Sequence, residues 1–232
     1  MGKRVVGKQT QTFLEWRDDF NKPGLGKQHC QDCHMPRTMR KVVENSDNPE
    51  RAVARHLWTG GHSQQRLASA LSMVVSQPDD GKPELTFHVI NVGAGHSVPT
   101  GSNRRAIYLN VEILDKTGKT VAGKEWMFAP SYGPRPDDKK FLEEDKKRPD
   151  AIAAMQADVQ GPHESSIRAG EEQILPWVPE LKPGDYTVKS RLIYDLNRYN
   201  DRSFKEDQTE INSTNLSITV KKGNLSFMAV FW

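Results

Sequence analysis

The spacing of apolar residues changes once along the chain, from a period of three to four before residue 80 to a period of two after it. Over residues 10–20, Phe13, Trp16 and Phe20 recur at spacings of three and four, the stripe of a short amphipathic helix. Asn21-Lys22-Pro23-Gly24 stops it. Asn48-Pro49-Glu50 offers an N-cap, a proline at the first helical position and an acid in the first turn, which predicts a second helix to about His56. Gly60-Gly61 breaks the chain. Ser63 then caps a third helix to about Val75, with Leu67, Ala70, Leu71 and Val74 on its apolar face.

After the turn cluster Gln77-Pro78-Asp79-Asp80-Gly81 the pattern alternates. Leu85, Phe87 and Val89 interleave with Thr86, His88 and Ile90, and Leu109, Val111 and Ile113 repeat the pattern. Asp115-Lys116-Thr117-Gly118 turns that strand, and Val121 to Phe128 is its expected hairpin partner. Asp185 to Leu196 reads as a strand opened by the turn Pro183-Gly184. Leu216 to Val220 and Leu225 to Phe231 read as a closing hairpin around Lys222-Gly223-Asn224. Residues 130–170 are charged, with one short helix expected at Pro149 to Val159; a stretch of this kind is a functional loop, a partner-binding excursion or a mobile segment. The pattern therefore predicts a mixed fold, a mostly helical region over 1–80 followed by an antiparallel, immunoglobulin-like β-sandwich over 81–232.

Composition narrows the class. The chain has 232 residues, 35% of them hydrophobic, and a mean hydropathy of -0.72, so it is polar with modest apolar content. No apolar run approaches the roughly 18 residues of a membrane span. A net charge of +3 from 33 basic and 30 acidic residues is a mixed, solvated surface and excludes a nucleic-acid footprint.

The chemistry is concentrated in Gln28-His29-Cys30-Gln31-Asp32-Cys33-His34-Met35-Pro36, which holds both cysteines of the chain. Cys-x-x-Cys-His is the attachment signature of c-type haem. Two thiols three positions apart each form a thioether with one vinyl group, and the next histidine is held under the iron as an axial ligand. Cys30 and Cys33 are the expected anchors and His34 the proximal ligand. Each rival lacks a part. A structural zinc site needs four ligands, a thioredoxin-like pair needs a βαβ context, and a disulfide here closes a very short loop. Arg37, Arg40 and Lys41 follow the motif, either as propionate partners or as solvated basic surface.

The flanks carry a resemblance. Thr12-Phe13-Leu14-Glu15-Trp16 leading into Cys-Gln-Asp-Cys-His-Met-Pro resembles the last haem-binding segment of the large multihaem c-type cytochromes. His56-Leu57-Trp58-Thr59-Gly60-Gly61-His62 is similar to a His-x-Phe-x-Gly-Gly-His stretch of the same proteins. Asn91 to Gly101, with Gly95-His96-Ser97-Val98-Pro99-Thr100-Gly101, resembles their Gly-His-x-x-Pro-Thr-Gly segment. The resemblance covers about residues 10–120 and implies electron transfer by haem, with histidines of these segments as distal ligands. The departure is that such cytochromes carry several haem motifs and this chain carries one.

A sixth iron ligand is therefore sought among His56, His62 and His96, each beside glycine or a chain break. His96 is chosen for the haem of this chain, with His62 and His56 as alternatives or as ligands to the haem of a partner. His29 lies too close to the attachment site to reach the other face, and His88 and His163 read as structural or exposed. Met73 reads as core packing.

Three function classes remain. The first is an electron carrier with one covalently attached, bis-histidine haem c, in a multihaem assembly with other cytochromes or redox proteins, as a homo- or hetero-oligomer sharing haem ligands. The second is a haem enzyme of peroxidase or nitrogen-oxyanion reductase type, which requires an open iron site beside an acid–base residue. The third is an interaction module with a structural haem. Haem attachment of this type resembles that of proteins matured outside the cytoplasmic membrane, which implies a periplasmic or extracellular location. Met1-Gly2-Lys3-Arg4 is basic but no apolar h-region follows, so the chain is read as a processed or truncated form, or a piece of a longer protein.

Overall fold

The computed structural model describes residues 12–102, 104–130, 164–198 and 207–222. Its framework is two sheets packed face to face. Strands β3 (Leu71–Ser76), β4 (Leu85–Asn91) and β8 (Glu172–Trp177) form one, in the order β3-β4-β8. Strands β5 (Ala106–Leu114), β6 (Thr120–Ala129), β7 (Glu164–Ser165), β9 (Gly184–Asp195) and β10 (Gln208–Val220) form the other, in the order β10-β9-β5-β6-β7. All pairings are antiparallel except the two-residue edge between β6 and β7.

The alternation seen in the sequence fixes which faces meet. Leu85, Phe87, Val89 and Asn91 of β4 are buried, with the residues between them partly exposed. They face Ile107, Leu109, Val111 and Ile113 of β5 and Val188 and Leu192 of β9, in one shared core. Phe87 meets Trp126 of β6 with ring centroids 5.3 Å apart, and Trp126 meets Trp177 of β8 edge-on at 6.4 Å. These aromatics join the two sheets across the core.

The N-terminal part is less helical than its pattern predicts. The first helix is present as α1 (Thr12–Glu15) continued by a π-helical segment, Trp16–Asn21, in which the Lys22 N–H donates to the Arg17 carbonyl, five residues back. The haem motif sits on α2 (Cys30–His34), a single helical turn.

The predicted helix to His56 is not formed. Arg51–Ala54 is a strand, β2, paired with β1 (Arg37–Arg40) in the register Arg37↔Ala54 to Arg40↔Arg51. Its N-cap and proline signals had no apolar face behind them, and the hairpin satisfies the backbone instead. The third helix, α3 (Gln64–Ala70), starts where expected, with the Ser63 hydroxyl accepting from the Arg66 N–H. It ends at Ala70 rather than near Val75. Leu71, Met73 and Val75 fit a period of two as well as Leu67, Ala70, Leu71 and Val74 fit a helix, and pairing with β4 selects the strand. Val74 is consequently 51% exposed, not part of an apolar helix face. Met73 is buried in the core, where packing was expected.

Expected strands over 85–90, 109–113, 121–128 and 185–196 are all present. Strand β8 went unpredicted because Pro176 interrupts the run; it is tolerated because β8 is an edge strand. Leu216 to Val220 is the end of the longer β10, which pairs with β9. Its expected partner at 225–231 and the expected helix at 149–159 lie outside the described residues.

Candidate functional site

The site forms where the 28–34 turn, the 55–63 loop and the β4–β5 connection meet in front of the core. Cys30, Cys33 and His34 stand at i, i+3 and i+4 on α2, which places the three on one helical face. Both thiols are free, Cys30 exposed and Cys33 partly buried. The backbone N–H of His29 donates to the Asp32 carboxylate at 2.8 Å, fixing the start of the turn. An Arg66 Nη2–H donates to the Cys33 carbonyl and so takes one of the open carbonyls at its end.

Of the three histidines considered, His96 is the one brought to His34. Their ring centroids are 6.1 Å apart and their planes are within 13° of parallel. Two imidazoles bound to one metal ion need a similar separation: about 2 Å of bond and about 1 Å from nitrogen to ring centre on each side give about 6 Å. Both rings are oriented from behind by main-chain oxygen. His34 Nδ1 bonds the Thr59 carbonyl, and His96 Nδ1 bonds the Ser97 carbonyl at 2.9 Å. A carbonyl only accepts, so each Nδ1 carries a proton, and in a neutral imidazole the lone pair is then on Nε2. That tautomer is the one metal-binding histidines adopt when their other nitrogen is held. Burial keeps the His96 imidazole below its ordinary value, against the upward pull of the Ser97 carbonyl and the Glu15 carboxylate, which favours the neutral, ligating form. Among the described residues no three His, Cys, Asp or Glu side chains converge as a metal cage.

The two loops are tightly built. Asn91 is 1% exposed; its Nδ2 donates to the carbonyls of His96 at 2.8 Å and Ile167 at 3.1 Å, and its Oδ1 accepts from the Ala94 N–H at 3.1 Å. On the other side, Gly61 lies against Tyr194 of β9, where an added Cβ would stand 2.8 Å from the phenol oxygen. A Cβ at Gly60 would stand in ordinary contact with His34, 4.0 Å from its ring. Trp58 adopts φ 46°, unusual for a bulky residue, and its ring lies 6.1 Å from that of His34 while 59% of the residue is exposed. The Thr59 hydroxyl is buried without a partner among the described residues. The donor set, two free thiols and two imidazoles 6.1 Å apart, would fit a haem.

The remaining candidates fall elsewhere. His56 and His62 are exposed on the 55–63 loop. His29 packs on Trp16 at 5.2 Å, and His88 pairs with Glu172 at 2.7 Å on the outer face of the small sheet. Arg37, Arg40 and Lys41 are exposed on the β1–β2 hairpin. His163 lies outside the described residues. Sequence reasoning missed Thr59, Ser97 and Asn91 as supporting groups. Only Asn91 left a signal: a polar residue at the fourth inward position of a strand that otherwise buries Leu85, Phe87 and Val89.

No protein-family profile matches the chain, and no curated protein matches it. Among solved structures it is similar to a penta-haem cytochrome c552 from Thermochromatium tepidum, with a TM-score of 0.56 and 18% identity over 90% of this chain. The chain spans about half that protein's length, 51%. At this identity the likeness is one of fold. The C-terminal domain of wzt (TM-score 0.32, 13% identity, 61% of this chain and 60% of that one) and a glycosyl hydrolase family 2 member from Bacteroides cellulosilyticus (TM-score 0.26, 16% identity, 66% and 15%) are too dissimilar to bear on the argument.

Proposed function

We propose that the chain is a c-type cytochrome that carries electrons through one haem, attached at Cys30 and Cys33 and ligated by His34 and His96. The observation that carries this reading is the His34–His96 pair, 6.1 Å apart, with both Nδ1 atoms on main-chain carbonyls. The haem supplies a one-electron couple at its iron. The chain's own residues would anchor it through two thiols and orient both imidazoles through their Nδ1 atoms. Two protein ligands leave no open position for substrate, which favours a carrier over a haem enzyme.

The exposed His62 and His56 extend the reading. They flank exposed Leu57 and Trp58 on one loop, so we assign them as ligands offered to the haem of a neighbouring chain in a multihaem assembly. Maturation and residence in the periplasm or outside the cell follow from the attachment chemistry. No helix among the described residues is long and apolar enough to cross a membrane.

Intact mass under denaturing conditions, from a host that matures c-type haem, tests the anchor: the chain should exceed its polypeptide mass by one haem. His96→Ala should convert a low-spin spectrum of the isolated chain to a high-spin one, and His62→Ala should leave that spectrum unchanged. A polypeptide mass alone, or an unaltered spectrum in His96→Ala, would remove the reading.

A further inference from the structure

Glu15 lies more than eighty positions from His96 in sequence, yet it is tied to the same loop. Its Oε2 accepts from the Ser97 N–H at 3.2 Å and from the Thr100 hydroxyl at 2.8 Å. The single Thr100 proton goes to the carboxylate, so the Thr12 hydroxyl, 2.9 Å away, donates to Thr100 in turn. Ser97 is therefore held at both ends of one residue. Its N–H is fixed by Glu15, and its carbonyl takes the His96 Nδ1–H. Phe20, from the same helical stretch, lies against Gly95 so closely that an added Cβ there would stand 3.1 Å from the ring. Trp16 reaches the other way: its indole N–H donates to the Gln28 carbonyl at 2.8 Å, two residues before Cys30.

We infer that Glu15 is a positioning residue for His96, and that residues 12–21 form a strut fixing the gap between the haem-attachment turn and the distal ligand. Trp16 binds the attachment side; Glu15 and Phe20 bind the His96 side. The π-helical segment widens the turn after Glu15, so that Glu15 and Phe20 reach the same loop, at Ser97 and at Gly95. A carboxylate gripping a backbone N–H is a charge-assisted bond, stronger than a neutral one. Without it the His96–Ser97 peptide is held only from its carbonyl side, by Asn91, so the Ser97 carbonyl is less firmly aimed at His96 Nδ1 and the distal ring is less firmly oriented.

This inference rests on the ligand pair proposed above, and one experiment separates the two. Full-length, haem-loaded wild-type, Glu15→Ala, Glu15→Gln and His96→Ala chains are compared by denatured mass, by ferric spectrum and by the rate at which carbon monoxide displaces the distal ligand of the reduced protein. Glu15→Ala should retain its haem mass, gain a high-spin fraction and take up carbon monoxide about tenfold faster than wild type. Glu15→Gln, whose amide oxygen still accepts from Ser97 but carries no charge, should fall between the two. His96→Ala sets the upper limit. A merely structural loss would lower the unfolding midpoint and leave the displacement rate, measured far below it, unchanged. Wild-type rates in Glu15→Ala overturn the strut alone. Should that variant not accumulate, a wild-type rate in Glu15→Gln overturns it equally. A wild-type chain without haem, or His96→Ala without effect, overturns the ligand pair and the strut with it.

Discussion

Asn91 occupies an inward position of β4 and uses all of its amide chemistry there, so its replacement is a sharp measure of how the His96 loop is held. Asn91→Ala should leave the His96 carbonyl and the Ala94 N–H without their Asn91 partner, while the Ile167 carbonyl keeps the Val98 N–H, and cost about 1–3 kcal/mol in denaturant unfolding. Asn91→Asp keeps the bond to Ala94 but loses both donors, and should be at least as unstable. On the proximal side, Gly61→Ala drives a methyl toward the Tyr194 phenol and should cost about 1–3 kcal/mol. Adding Tyr194→Phe removes the nearest clashing atom, so the double variant should recover part of the loss in a double-mutant cycle. Recovery of none would mean that the clash is with the ring carbons, 3.1 and 3.2 Å away, rather than the oxygen.

At the scale of elements, β3 decides between two readings of the same six residues. As a strand it turns Val74 to solvent and Met73 inward. Val74→Lys should therefore change stability by less than about 0.5 kcal/mol, and Met73→Lys by more than about 3 kcal/mol. Equal, large losses would restore the helical face. Long strands such as β4 and β5 were legible because each repeats its alternation over enough residues to exclude a helix. β1 and β2 have four residues each and no alternation, so only their mutual pairing makes them strands. In the site, Cys30, Cys33 and His34 were legible because their spacing is local. Glu15 was not, because its partners are brought to it only by the fold, and Thr59 and Ser97 were not, because they act through main-chain atoms that every residue shares.

For the molecule as a whole, the two proposed ligands come from different parts of the chain: His34 from α2, ahead of both sheets, and His96 from the connection between β4 and β5, which belong to opposite sheets. A group ligated by both would couple the N-terminal segments to the sandwich core, and anything bound by the folded state alone raises its stability. The haem-loaded chain should melt in one transition, with haem absorbance and tryptophan fluorescence changing together. His96→Ala should lower that midpoint by roughly 5 °C or more. Separate transitions for the two probes would show that the sandwich folds independently of the site.

Both imidazoles lean on carbonyls of the backbone rather than on carboxylates or amides of side chains. This makes their orientation heritable in an unusual way. Thr59 and Ser97 are open to replacement, since any residue that keeps the local path of the chain presents the same oxygen; Thr59→Val and Ser97→Ala should leave the haem spectrum as it is. Drift at these two positions is thus nearly free of consequence for the proposed haem site, whereas the glycines and Glu15 that shape the path are where a lineage would feel a change.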